Sequence, residues 1–235
     1  MVEFFSNEDI DAIQGDPEQN FFTPVLKTVI EKMGNVKKIC DVGCGNGVFT
    51  AILKDWNNCE LIGVDGSQYA LKLAKNYKFD GLFFIKDFSN DKLPFEDNSF
   101  DLVISKDVLE HLFDPLNLAT EISRILKNDT GRALIHVPNH FHIYGRLKLL
   151  FNNSIDSYNY FPNSNRWDFP HIRFFNNEDF LRMFESVGLS PILNLSYHFH
   201  SIPFINRFLP KQIKSHLATA YPNMFAEGFT YLFKK

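Results

Sequence analysis

Residues 38–53 read KICDVGCGNGVFTAIL, and the order of residue types in this stretch decides how the rest of the chain is read. Ile39, Cys40 and Val42 form an apolar run of buried-strand length, Gly43, Gly45 and Gly47 follow at once, and residues 48–53 resume apolar positions at helical spacing. The pattern predicts strand, glycine turn, helix. Glycine tolerates positive φ and lets a ligand approach the main chain, so three glycines at alternate positions predict a turn that presents its amides to something small and polar. Alone, such a turn serves dinucleotide enzymes, phosphate binders and structural bends alike.

The segments that follow narrow the choice. A second strand is predicted over residues 60–64 and ends in Asp65 and Gly66, where doubly wound folds place a carboxylate on ribose hydroxyls. A third, over residues 82–85, ends in Lys86, Asp87 and Phe88. Then come LPFEDNSFDLVIS at 93–105 and KDVLEHLFDP at 106–115. Taken singly, Asp41 also reads as a helix cap and Asp65 as an N-cap or turn residue with Ser67.

Taken in order, DVGCGNG, GVDGS, KDFSNDKLPFEDNSFDLVIS and DVLEHLFDP resemble the Rossmann-like, class I S-adenosylmethionine-dependent methyltransferases over residues 39–138. The resemblance implies an α/β fold with a doubly wound, seven-stranded, mostly parallel sheet, a terminal antiparallel strand pair and an inserted cap. It implies S-adenosyl-L-methionine as cofactor, its amino acid end held by Asp41 and the turn of Gly43, Cys44, Gly45 and Gly47. Asp65 with Gly66 would take the ribose, Asp87 the adenine amino group, and Phe88 would lie beside the ring. Ser105 and Lys106 would border the methionine portion.

The 235 residues fit one domain, 1–235, and an apolar content of 45% is ample for a continuous core. A net charge of −4 disfavours nucleic-acid and membrane-surface binders, which depend on excess cationic charge. Cys40, Cys44 and Cys59 lack paired zinc-finger spacing and read as buried reduced thiols. The acidic start of the chain does not read as a signal peptide, and no stretch reaches bilayer-spanning length, so a cytoplasmic enzyme is expected. The oligomeric state is not legible.

Residues 4–20 read as an arm or lid, 22–33 as a sheet-covering helix closed by Gly34, 67–77 as a second helix, and 115–126 as a third, capped by Asp114 and started by Pro115. A fifth strand is predicted over 132–137. Regularity breaks over 139–175, which reads as an inserted substrate cap rich in aromatic, histidine and arginine residues. A helix over 176–188 and a strand over 191–197 follow, then a second insertion over 198–225 and a last strand from Gly228.

Open α/β sheets bind ligands beyond the carboxyl ends of their strands, so the base for an acceptor group is sought in Asp107, His111, His140, His142 and His171. Asp107, Glu110 and His111 form D-x-x-E-H. If helical, the three share a face and offer a divalent-ion set resembling the E-x-x-E-H of some relatives that act on catechols or RNA ends. The shorter first acid departs from that pattern, so the preferred reading is no metal, a capping acid and a hydrogen-bonded imidazole, with turnover surviving chelation. Tyr144, Arg146, Arg166, Trp167 and Arg173 suit an anionic ring-bearing substrate, or alternatively a folded cap with solvated cations. The expectation is methyl transfer to oxygen or nitrogen of a small anionic metabolite, such as a sugar, nucleotide-sugar or phosphorylated compound. Alternatives are a quinone, catechol-type or RNA methyltransferase, a nicotinamide oxidoreductase, and a non-catalytic cofactor-binding relative.

Overall fold

The computed structural model describes residues 21–56, 58–151, 171–199 and 207–235. Along the chain the elements are α1 (Phe22–Met33), β1 (Lys38–Val42), α2 (Leu53–Trp56), β2 (Glu60–Asp65), α3 (Gln68–Ala74), β3 (Gly81–Phe84) and β4 (Leu102–Lys106). A short 3-10 turn (Leu109–His111) leads to α4 (Pro115–Ile125) and β5 (Arg132–Pro138). The rest comprises α5 (Ile143–Leu150), α6 (Asn177–Ser186), β6 (Ser190–Asn194), α7 (Lys211–Ala220), α8 (Pro222–Phe225) and β7 (Gly228–Lys234).

The seven strands form one sheet in the order β3-β2-β1-β4-β5-β7-β6. Pairs among the first five strands are parallel, and β7 pairs antiparallel with both β5 and β6. Alternation along each strand sends side chains to two cores. Ile39, Leu61, Leu102, Ile104 and Leu134 pack under the apolar face of α1, whose Val25, Leu26 and Val29 are buried. Cys40, Ile62, Val103 and Ile135 face the other way, onto Leu118 and Ile122 of α4 and Phe180 and Phe184 of α6. Both phenylalanines are fully buried, and truncating one to alanine costs about 3 to 5 kcal/mol. The helices start where polar side chains cap them: Ser67 accepts the Ala70 N–H, Asp114 the Leu116 N–H and Asn176 the Asp179 N–H.

Two sequence expectations are corrected. The helix expected from Val48 begins only at Leu53. Before it, Asn46 Oδ1 accepts the Val48 N–H at 3.2 Å, Thr50 Oγ1 donates to Asp41, and three-residue bonds from Leu53, Lys54 and Asp55 tighten the path. The strand expected over 191–197 ends at Asn194, whose Oδ1 accepts the Ser196 N–H at 2.9 Å and turns the chain, while Ser196 Oγ crosses to the Thr230 N–H. The expected arm at 4–20 and the middle of the cap lie outside the described residues. No helix among the described residues is long and apolar enough to cross a membrane.

Candidate active site

Beyond the carboxyl ends of β1, β2, β4 and β5 lies a cavity of about 590 Å³. Its floor at one end is the glycine turn. Gly43, Gly45 and Gly47 all have positive φ, of 78°, 55° and 80°, and a Cβ on Gly43 would run into the Val108 side chain. The turn does not present its amides as expected. Val64 O accepts the N–H groups of Gly43 and Cys44 at 2.8 and 3.0 Å, Asp65 Oδ2 accepts that of Gly45 at 2.7 Å, and Cys44 O accepts that of Gly47 at 2.9 Å. Three of these amides tie the turn to the end of β2 and that of Gly47 closes the turn on itself, so the glycines serve shape and close approach.

Asp41 lies buried in β1, with the Thr50 hydroxyl donating to its Oδ2 at 2.6 Å. Burial, which the nearby Asp65 reinforces and Thr50 opposes, pushes its carboxyl up to about 7. Asp65 is also raised by burial, against the pull of the Ser67 and Gly45 amides it accepts. Asp87 goes the other way: the Asn90 side-chain amide at 2.7 Å and the Ser89 N–H at 2.9 Å hold it below the usual carboxylate range. Asn46 Nδ2 and Ser105 Oγ are buried with no hydrogen-bond partner among the described residues. Buried polar atoms ordinarily have partners, and Asn46, which lines the cavity, offers its Nδ2 to a polar ligand. Of the cofactor residues expected from sequence, Asp41, Gly43, Cys44, Gly45, Asp65, Gly66, Asp87, Phe88 and Lys106 line the cavity. Gly47 and Ser105 stand behind that lining. Burial raises the thiols of Cys40 and Cys44, which keeps them protonated and packs them as apolar groups.

The opposite end of the cavity gathers a different set. Asp107 has φ 55°, lies outside the 3-10 turn, pairs with Lys106 Nζ, and stands 3.4 Å from His136 Nε2. Burial would raise its carboxyl, but Lys106 first and His136 second hold it at about 2. His136 donates to or accepts from Thr230 Oγ1 at 2.7 Å, and burial lowers it to about 4, so it is neutral near pH 7. Lys106 Nζ also sits 5.3 Å from the centroid of the Phe49 ring and within 6 Å of the rings of Phe21 and Phe22. Glu110 and His111 on the 3-10 turn meet His171, whose ring centroid is 4.8 Å from that of His111. The alternative to no metal is the set of Asp107 with Glu110 and His111; among the described residues the donors that converge are Glu110, His111 and His171. The expected shared helical face does not exist, because positive φ at Asp107 swings its side chain toward Lys106.

The other expected residues are placed as follows. His140 Nε2 bonds His171 Nδ1 at 2.7 Å, behind the cavity wall. His142 caps α5, its Nδ1 accepting the Gly145 N–H at 3.1 Å, so it lies away from the cavity. Tyr144 packs on His142 and under Lys148. Arg146 is exposed and donates from Nε to Phe141 O at 2.5 Å. Arg173 donates to Leu112 O at 3.3 Å and to Phe113 O, which turns its guanidinium onto main-chain carbonyls. Arg166 and Trp167 lie outside the described residues. Sequence reasoning missed Phe21, Asn46, Phe49, Thr50, His136 and Glu227, all on the cavity lining. Phe49 and Thr50 follow the glycine turn and were findable there; Glu227 is brought in only by the pairing of β7.

A family model described as "Methyltransferase domain" matches residues 40–134. An uncharacterized protein of Methanocaldococcus jannaschii is 35% identical over 116 residues, 48% of this chain and 47% of that one. The demethylmenaquinone methyltransferase of Staphylococcus aureus is 30% identical over 184 residues, 69% of this chain and 72% of that one. Against the first relatives the chain spans about half of their length or less. Among solved structures, the complex between the Haloferax volcanii Trm112 methyltransferase activator and a methyltransferase aligns with a TM-score of 0.65 at 20% identity, over 100% of this chain and 98% of that one.

Proposed function

This chain belongs to the class I S-adenosylmethionine-dependent methyltransferases, and from that premise we propose that it methylates an oxygen or nitrogen of a small ring-bearing acceptor of quinol or phenol type. The observation that carries the acceptor class is the wall of the cavity. Phe21, Phe22, Phe49 and Phe113 line it, beside the polar groups of Lys106, Asp107, Glu110, His111, His136 and His171. Such a chamber suits a flat apolar body with one or two hydroxyls. The 30% identical Staphylococcus relative, named for a quinone-type substrate, supports the same class.

Bound S-adenosylmethionine supplies an electrophilic methyl group on a positively charged sulfur. The residues that would hold it are Asp41 and Asn46 at the amino acid end, Asp65 at the ribose, and Asp87 with Phe88 at the base. Val108, pressed against Gly43, fixes the path of the loop that separates this half from the acceptor half. The phenylalanine wall excludes water from the acceptor. His111 or His171 receives the proton that the acceptor releases, and Asp107, already committed to Lys106, keeps a positive charge neutralised beside the reacting centre. Three buried or part-buried free thiols suit the reducing cytoplasm, the location we propose.

A second reading, an anionic sugar, nucleotide-sugar or other phosphorylated metabolite, is favoured by Lys86 on the cavity lining and by Arg166 and Trp167 in the cap. Arg173 does not add to it, since main-chain carbonyls hold its guanidinium, while Arg146 is exposed and bonds Phe141 O through Nε alone among the described residues. The discriminating experiment is release of S-adenosylhomocysteine by purified protein given cofactor and a panel of quinols, catechols and phosphorylated sugars. Turnover confined to the phosphorylated compounds overturns the phenolic reading in favour of the second.

A further inference from the structure

We propose that Glu110, His111 and His171 form a binding site for one divalent transition-metal ion. One ligand atom from each lies within 4.8 Å of the others. Ligands bound to a single ion at about 2.0 to 2.2 Å stand roughly 3 to 4 Å apart, so side-chain movement on the order of 1 Å closes the set.

Four observations carry the site. Glu110 is fully buried, and neither of its carboxylate oxygens has a hydrogen-bond partner among the described residues. A buried carboxylate without such partners is costly, and one that protonated instead would still need an acceptor for its proton. His111 Nε2 stands 4.0 Å from its Oε1, too far for a hydrogen bond and a natural distance for two ligands of one ion. The main chain fixes the two segments together: Glu110 O accepts the N–H groups of Ile172 at 2.8 Å and Arg173 at 3.0 Å, which seats His171 over the 3-10 turn. Finally, His140 Nε2 holds His171 Nδ1 at 2.7 Å, the outer bond by which metal-binding imidazoles are oriented, and this assigns the opposite nitrogen, Nε2, to the ion.

Two imidazoles and one carboxylate suit zinc, cobalt, iron or nickel better than magnesium, which prefers oxygen ligands. Three protein ligands leave positions open, and all three residues line the cavity, so those positions face the acceptor. With an ion bound, His111 and His171 would be its ligands in place of proton acceptors, and the ion would instead lower the pKa of an acceptor hydroxyl held there; that task rests on the methyl-transfer reading, and the binding of the ion does not.

The test uses the whole chain, stripped with a chelator and titrated with Co²⁺ alone by calorimetry and visible absorption, with no cofactor present. The expected result is one Co²⁺ per chain with the absorption of imidazole ligation. His171→Ala weakens binding by at least about 100-fold, and His140→Ala, which leaves the ligands in place, weakens it about 10- to 100-fold. Binding of S-adenosylhomocysteine, measured on the same samples, stays within about threefold of wild type in His171→Ala, which shows the fold intact; loss of that binding in the unaltered protein defeats the methyltransferase reading and leaves the ion result standing. No stoichiometric Co²⁺ binding by the unaltered protein, or equal binding by His171→Ala, overturns the site.

Discussion

At the β1–β2 end of the cleft the acids sit in or shortly after a strand: Asp41 within β1, Asp65 closing β2, and Asp87, with Phe88 beside it, three residues after β3. At the β5 end the walls arrive from distant parts of the chain: His136 from β5, His171 from the return of the cap, Glu227 from the approach to β7. The first end is held by main-chain bonds between neighbouring strands, such as Val64 O to the Gly43 and Cys44 amides. The second is held by side chains reaching across long intervals, such as His136 to Thr230 and Asn139 Nδ2 to Ala226 O. The difference teaches that one half of this cleft is a property of the sheet, and the other half a property of what is draped over its end.

Breaking the first end should have the largest effect. Gly43→Ala forces a side chain into positive φ and against Val108, and we expect a loss of about 3 kcal/mol in urea denaturation from strain and overpacking together, with cofactor binding lost as well. Wild-type stability in that variant would show that the turn is not braced by close packing. Asp65→Ala comes next. It removes an acceptor of the Gly45 and Ser67 amides, and titration with S-adenosylhomocysteine should show affinity down by ten-fold or more, about 1.5 to 3 kcal/mol.

The acids at this end were legible because each lies in or just after a predicted strand, so a doubly wound sheet puts them toward one edge. The acceptor end was only half legible. The D-x-x-E-H segment gave Glu110 and His111, but proximity in sequence suggested Asp107 as their companion, and a single positive φ sent that acid to Lys106 instead. His142 and Arg173 looked chemical by residue type. One became a helix cap and the other a clamp on carbonyls, roles set by local turns that periodicity does not encode. Glu227 carried no local signal at all, because only the order of β5, β7 and β6 brings it to the cleft.

The pH dependence of cofactor binding sharpens the comparison further. Asp41, raised to about 7 from 3.8, keeps in the native chain a proton that the unfolded chain has released across that window. The native state therefore loses stability as pH rises through it, since the unfolded chain binds fewer protons there. A ligand ammonium placed beside Asp41 reverses the preference and expels the proton. Affinity for S-adenosylhomocysteine should then climb by up to about tenfold per pH unit from pH 5 and level off near 7, with the slope abolished in Asp41→Asn. A flat profile in the unaltered protein would separate Asp41 from the amino acid end of the ligand.

The smallest effects belong to the two described arginines of the cap. Arg173→Ala should cost about 1 kcal/mol of stability and raise the acceptor KM, because it frees the 110–113 loop from its clamp. Arg146→Ala, exposed and bonded among the described residues to a nearby carbonyl, should stay within about 0.5 kcal/mol and leave KM unchanged. An equal and large KM rise in both would restore them as substrate contacts.

The position of β7 bears on how the molecule is made. Although it is translated after every other strand, it is threaded between β5 and β6 and contributes Phe229 and Phe233 to the core over α6. A ribosome-bound chain that has finished β5 therefore exposes that strand's unpaired main-chain groups and the apolar face meant for β7, while its nucleotide-type half can already close. The topology thus makes the cavity wall at Glu227 depend on a non-local pairing of β7 with β5, a step before which the open strand edge favours association with other chains.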